Sequence, residues 1–256
     1  MADGNTYLVT GTNRGIGKGL VETLLQKPST TVIATVRDTA SPAAEALAHL
    51  PKAQGSQLIV VKLDSASETD AKEAVAELRE KHNITALDVV IANAGISNNG
   101  TTVYKTTVAS ILEHLAVNLL GPVTLFQATA DLLRASKTGQ PKFIAISTAI
   151  GSIGLMDALS HFPNTSSPYG GSKAALNWFV RRLHFEEPWL TSFVLHPGLV
   201  ETDLSRRAVG GTGIDLKSMG AITVETSVEG IMKVVHGATR ETSGTFKNYD
   251  GTSLPW

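Results

Sequence analysis

The chain has 256 residues, 42% of them hydrophobic and 18% charged, with a formal net charge of −1. Such a chain is long enough to bury a sizeable core, and its near-neutral balance offers no basic field to nucleic acid or an anionic membrane. It contains no cysteine, which excludes disulfides, thiolate catalysis and thiolate-bound zinc; no metal site is expected.

The first residues lead directly into an apolar run, without a signal-peptide pattern, and no apolar run is expected to span a bilayer. Short apolar runs then alternate with amphipathic stretches along the chain. A strand at 7–10 precedes a helix at 16–26. A second strand, Thr31–Val36, precedes a helix at 43–50, and a third, at 57–63, precedes a helix at 68–82. A fourth strand occupies 87–92. The long helical region at 108–136 is expected to break near Asn118. A fifth strand follows at 143–147, then a helix at 169–185, a strand at 191–195, a helix at 228–238 and an edge strand at 244–249. Continuous Val/Ile/Leu strands separated by helices imply a parallel sheet covered on both faces. The expected fold is one doubly wound α/β domain over residues 1–256, which would bind its ligand beyond the carboxyl ends of the strands.

Residues at those ends carry the chemistry. Thr10-Gly-Thr-Asn-Arg-Gly-Ile-Gly17 joins the first strand to the first helix. Gly11 permits a tight turn, and Gly15 and Gly17 let backbone and ligand approach. The helix N-terminus beyond offers free N–H groups to a pyrophosphate. After the second strand, Arg37 stands where an adenine ribose would lie, and Arg14 could reach the same place. Each guanidinium–phosphate bond contributes roughly 1.5–3 kcal/mol, so the pair favours a 2′-phosphate and NADP(H). Asp38 is the opposing signal, because a carboxylate suits a free 2′-hydroxyl. Asp64 could accept from the adenine amino group or cap a helix. Asn93-Ala94-Gly95 ends the fourth strand with small residues suited to a close-lying ring or ribose.

Tyr169 and Lys173 are four residues apart, hence on one helical face, behind Pro168, a good helix starter. A free phenol titrates near about 10; a neighbouring ammonium favours the phenolate, so Tyr169 could act as general acid or base. Gly170 and Gly171 would leave room for cofactor and substrate.

Together the glycine loop, Asp64, Asn93-Ala-Gly, Asn118, the Ser147-Thr148 region, Tyr169-Gly-Gly-Ser-Lys173 and Pro197-Gly198 resemble the short-chain dehydrogenase/reductase superfamily, in the family's order along the chain. The resemblance implies a Rossmann-type sheet of about seven strands, order 3-2-1-4-5-6-7, binding NADP(H). It implies a catalytic set of Asn118, Thr148, Tyr169 and Lys173. It also implies cofactor contacts from Gly11, Asn13, Arg14, Gly15, Ile16, Gly17, Arg37, Asp64, Asn93, Ala94, Gly95, Tyr169, Lys173, Pro197, Gly198, Val200 and Thr202. The family usually has serine three residues before a glycine after the fifth strand; in Ile146-Ser-Thr-Ala-Ile-Gly151 that register falls on Thr148, leaving Ser147 as a second choice. Asn118 would anchor a water leading to Lys173, the Val200 backbone would meet the nicotinamide carboxamide, and Thr202 would meet the carboxamide or the phosphates. His196 reads as a packing residue.

The ending Asn248-Tyr-Asp-Gly-Thr-Ser-Leu-Pro-Trp256 is similar to C-factor-like and fungal ketoreductase-like members. That points to an NADPH-dependent reductase of an apolar, aromatic or polyketide-like ketone in secondary metabolism, located in the cytoplasm. A nucleotide-binding sensor with negligible turnover is the alternative. Thr148 and Tyr169 stand farther apart than is usual in the family. The loop at 152–168, with Leu155, Met156, Phe162 and a polar His161, therefore reads as a substrate lid, and 203–224 as a second flap. Family members pair through the two long helices, here near 119–133 and 173–185, so a homodimer or homotetramer is expected, with Phe179, Leu183 and Phe185 as apolar contacts or as core.

Overall fold

The computed structural model describes residues 4–98, 100–160, 166–208 and 215–256. Seven parallel strands form one sheet in the order β3-β2-β1-β4-β5-β6-β7, matching the expected order. They are β1 (Thr6–Thr10), β2 (Thr31–Val36), β3 (Gln57–Lys62), β4 (Val89–Ala92), β5 (Lys142–Ile146), β6 (Thr191–His196) and β7 (Phe246–Asn248). The helices are α1 (Gly15–Leu25), α2 (Pro42–Ala48), α3 (Asp70–His82), α4 (Val108–Leu115), α5 (Gly121–Arg134), α6 (Ser167–Glu186), α7 (Asp203–Ala208) and α8 (Val224–Gly237).

The strands are apolar on both sides because both faces are covered. In β1, Leu8 enters the core shared with α3, α5 and α6, whereas Tyr7 and Val9 enter the one shared with α1, α2 and α8; in β4, Val90 and Ala92 alternate likewise with Val89 and Ile91. Phe143 and Phe193 are fully buried on opposite faces, each contributing roughly 1.5–3 kcal/mol by leaving water. Two side chains fix helix starts that apolar spacing leaves vague. Ser41 accepts from the Ala44 N–H with Pro42 behind it, and Thr223 accepts from the Thr226 N–H. The second cap starts α8 at Val224, four residues before the expected 228.

Near Asn118 the chain does not break. Residues Ala116–Leu120 form a π turn between α4 and α5, with the Gly121 N–H donating to the Ala116 carbonyl, and the helix continues. The resulting run Val108–Arg134 has 27 residues and contains an 18-residue stretch with a mean hydropathy of 1.4, long and apolar enough by composition to cross a membrane. This corrects the expectation that no segment reaches that length. Here the run lies against α3 and α6, and its Leu125, Phe126, Leu132 and Leu133 belong to the core.

Candidate active site

The sheet order reverses between β1 and β4, and the crevice at their carboxyl ends widens into a cavity of about 680 Å³. Every residue expected to contact a cofactor lines it, as do Thr148, Tyr169 and Lys173. Asn118 lies behind the wall, fully buried.

The glycine loop is built from the strand outward. Gly11 has φ +68°, and a Cβ there would sit 2.9 Å from the Ala94 Cα. A Cβ on Gly17 would sit 2.2 Å from the Gly11 carbonyl oxygen and 2.6 Å from Asn93 Nδ2. Gly17 is thus required by the loop's own packing rather than by ligand approach alone. Asn93 Nδ2 donates to the Thr10 carbonyl at 2.8 Å, while the Thr10 hydroxyl accepts from the N–H groups of Asn93 and Ala94 at 3.0 Å. These bonds fasten the β4 end to the loop.

The two arginines differ. Arg37 is exposed at the cavity rim, without a carboxylate partner among the described residues. Asp38 is turned into its own bend: its Oδ1 accepts from the Ala40 N–H at 2.9 Å, and it does not line the cavity. Arg14 is engaged instead by Asp203 of α7, Nη1 to Oδ2 at 3.2 Å, an exposed pair. The Asp64 carboxylate accepts from the Ala66 N–H at 2.9 Å while facing the cavity.

Pro168 sits in the first turn of α6 and brings Tyr169 to its start. The tyrosine ring keeps part of its surface open to the cavity, but burial of its hydroxyl pushes the phenol up to about 12, against a smaller lowering by a hydrogen bond from Thr148. Burial pushes the Lys173 ammonium down to about 8. Its Nζ donates to the Ile146 carbonyl at 2.8 Å rather than to the phenol. Desolvation therefore dominates at the phenol, and Tyr169 is held protonated instead of poised to ionise.

The two hydroxyl candidates separate clearly. Ser147 Oγ is buried and donates to Asn177 Oδ1 at 2.6 Å, while Asn177 Nδ2 donates to the Gly151 carbonyl at 3.1 Å. Thr148 accepts from the Ile150 N–H at 3.3 Å and keeps its hydroxyl beside Tyr169. Asn118 clamps the β4 exit: its Oδ1 accepts from the Ile96 N–H at 2.9 Å, and its Nδ2 donates to the Ile96 carbonyl at 2.9 Å and to Ser172 Oγ at 3.0 Å. Ser172 in turn donates to the Tyr169 carbonyl at 2.7 Å. The clamp thus reaches the tyrosine through Ser172.

Gly170 does not make room for a ligand; a Cβ there would meet the Ile150 carbonyl at 3.2 Å, so its role is to seat α6, whereas Gly171 faces open space. Pro197, Gly198, Val200 and Thr202 form the turn after β6, held by the Ile222 N–H donating to the Leu199 carbonyl at 2.8 Å. His196 lines the cavity as a neutral imidazole, its pKa pushed down to about 4 by burial, with Nδ1 unpartnered. That agrees with packing and not with proton transfer. Leu159, from the loop after β5, forms part of the apolar wall with Ile96, Val117 and Ile150. His161 and Phe162 lie outside the described residues, as does 209–214 of the second flap. Ser172, Asn177 and the Ile146 carbonyl escaped the sequence reading; Ser172, inside the Tyr-Gly-Gly-Ser-Lys run, was the one with a local signal.

Comparison with known proteins accords with this geometry. The family model described as short chain dehydrogenase matches residues 5–210. The chain is 45% identical over 254 residues to a norsolorinic acid ketoreductase of Aspergillus parasiticus, covering 98% of this chain and 90% of that one. It is 44% identical to the norsolorinic acid ketoreductase nor1 of Dothistroma septosporum, covering 98% and 92%. Among solved structures, NADPH-bound carbonyl reductase from chicken fatty liver is similar with a TM-score of 0.85 and 32% identity over 99% of both chains.

Proposed function

Because this chain belongs to the short-chain dehydrogenase family, we propose that its cavity binds NADP(H) and reduces a ketone bearing an aromatic or polyketide-like body. The observation that carries this is the pairing of the Thr148 and Tyr169 hydroxyls in a cavity also lined by the glycine loop and by Arg37, which has no carboxylate partner among the described residues. The residues fit the cofactor. The loop has no side chain where a pyrophosphate would approach Gly15, the rim offers Arg37 to a 2′-phosphate, and Asp38 is turned away. The similarity to an NADPH-bound carbonyl reductase supports that choice of dinucleotide, and the likeness to ketoreductases supports the substrate class.

Bound beside Tyr169, reduced nicotinamide would supply the hydride to the carbonyl carbon. The Thr148 hydroxyl donates a hydrogen bond to the carbonyl oxygen as negative charge gathers there. Tyr169 gives its phenolic proton to the same oxygen, completing the alcohol. A phenol held near about 12 stays loaded with its proton across the working range. The resulting phenolate is reprotonated from the Lys173 side, where an ammonium near about 8 can both give and regain a proton at neutral pH. Asn118 and Ser172 act as positioning residues by fixing the backbone around Tyr169 and Ile96. Leu159, Ile96 and Ile150 exclude water from the carbonyl. The loop at 152–168 and the flap at 203–224, parts of the same single domain, carry substrate selection. The subunit works in the cytoplasm as a dimer or tetramer joined through α5 and α6; Leu120, at the end of the π turn before α5, and Trp178, Phe179 and Phe185 of α6 are exposed, whereas Leu183 packs on the core.

Oxidation of NADPH, with NADH as control, in the presence of aryl ketones, quinones and aldehydes tests this reading. Turnover of at least one carbonyl class with NADPH preferred is expected. Tight NADPH binding without turnover of any of them would mark a nucleotide-binding sensor instead.

A further inference from the structure

We propose that the segment Leu254-Pro255-Trp256 is a positioning element for the substrate, holding the loop after β5 so that Leu159 closes the cavity. The inference rests on reading that cavity as the carbonyl site.

The loop is tied to this segment at two consecutive points. Ser152, 1% exposed, donates its hydroxyl to the Pro255 carbonyl at 2.7 Å and accepts from the Leu155 N–H at 3.1 Å. The Gly154 N–H donates to the Trp256 carbonyl at 2.6 Å. Position 154 accepts only glycine in this arrangement, because a Cβ would lie 2.9 Å from the Trp256 carbonyl oxygen and 3.1 Å from Pro255 Cβ. From Leu155 the order passes one turn onward, the Leu159 N–H donating to the Leu155 carbonyl at 2.9 Å. Leu155 and Leu159 are half-buried, while Ile153 and Met156 point outward and are exposed. The inward leucine at 159 is the one lining the cavity.

The segment can restrain the loop because it is itself anchored to the sheet. The Leu254 N–H donates to the Phe246 carbonyl at 2.8 Å, and the Leu254 side chain packs on the core. The Trp256 ring lies against Phe246 with centroids 5.7 Å apart, and the Arg181 guanidinium of α6 sits 5.7 Å from the Trp256 ring. A chain of contacts thus runs from β7 through residues 254–256 to Ser152 and Gly154, and on to the substrate-facing Leu159. None of these groups touches the reacting atoms, so their influence is on substrate fit.

Two variants test this in the full chain. Ser152→Ala removes both hydroxyl bonds, and Trp256→Ala removes the ring that anchors the segment. Loss of the two Ser152 bonds, or of the ring that anchors the segment, should raise KM for a bulky aryl ketone about tenfold, with kcat and the NADPH Kd within about twofold of the parent and KM for a small ketone unchanged. Hydrogen exchange of the NADPH-bound protein gives a readout independent of turnover. The amides of Gly154, Leu155 and Leu159 should exchange faster in both variants, with α6 unaffected. Parental exchange at those amides overturns the inference. So does faster exchange with an unchanged KM for the bulky ketone, or an equal loss of NADPH affinity. A parent that exchanges as described but reduces no ketone sinks the carbonyl-reductase reading and, with it, the substrate role of the loop, while leaving the tether measured.

Discussion

Replacing Thr148 by valine removes one hydroxyl and little else. The residue is 7% exposed, and valine keeps its β-branch and volume, so the backbone at the β5 exit is retained. Inside the protein the change forfeits the bond accepted from the Ile150 N–H at 3.3 Å, a long bond whose loss costs less than about 1 kcal/mol of stability, and the hydrogen bond to the Tyr169 hydroxyl. Loss of a donor to the developing alkoxide costs far more, about 2.7–4 kcal/mol, or about 10²–10³ in kcat. Ser147→Ala is the matched control. Its hydroxyl is committed to Asn177 at 2.6 Å, and removing it leaves a buried amide oxygen unpaired, at a cost of about 1–3 kcal/mol in stability and several degrees in Tm. Its kcat should stay within about threefold of the parent. Steady-state NADPH oxidation and thermal melts on both variants decide the matter. A Thr148→Val enzyme with near-parental kcat, or a Ser147→Ala enzyme that loses its activity while remaining folded, refutes the assignment of the carbonyl-holding hydroxyl.

Further outcomes follow from the same geometry. Arg37→Ala should raise KM for NADPH by about 10-fold or more, the worth of one guanidinium–phosphate bond, and leave KM for NADH unchanged; equal changes for both dinucleotides contradict it. Asp203→Asn releases Arg14 from an exposed ion pair worth about 0–1 kcal/mol, so NADPH should bind up to about fivefold more tightly in a direct titration, and weaker binding would show that Asp203 assists instead. Burial places Lys173 near about 8; it loses its charge as pH rises through that value, so kcat for ketone reduction should fall on the alkaline side of it, and a kcat that is flat well above it removes Lys173 from proton resupply.

What the sequence made legible was local in the chain or set by short-range geometry. Unbroken Val/Ile runs gave both faces of the sheet, because a strand covered on each side has no polar alternation. Gly11 and Gly17 were visible because a tight βα turn tolerates no Cβ there. The glycine loop, Arg37, Asp64, Asn93, Thr148 and Pro197 share one cavity because each follows a strand that ends there, and α6 brings Tyr169 and Lys173 to it. The remainder depended on partners distant in the chain. Asn177 claims Ser147 from 30 residues away, Asp203 claims Arg14 from 189, and Pro255 claims Ser152 from 103. Nor did helical spacing foretell that Lys173 would turn to the Ile146 carbonyl, since the four-residue offset to Tyr169 permits both orientations. The π turn at Ala116–Leu120 was read as a break, because asparagine in an apolar helix signals disruption without saying whether the ladder stops or widens.

The central claim is that the Tyr169 hydroxyl delivers the proton. The most direct measurement is kcat of Tyr169→Phe with NADPH and the best ketone, alongside NADPH affinity by fluorescence. The account predicts a loss of about 10²–10⁴ in kcat with dinucleotide binding intact. A phenylalanine variant turning over at the parental rate contradicts it.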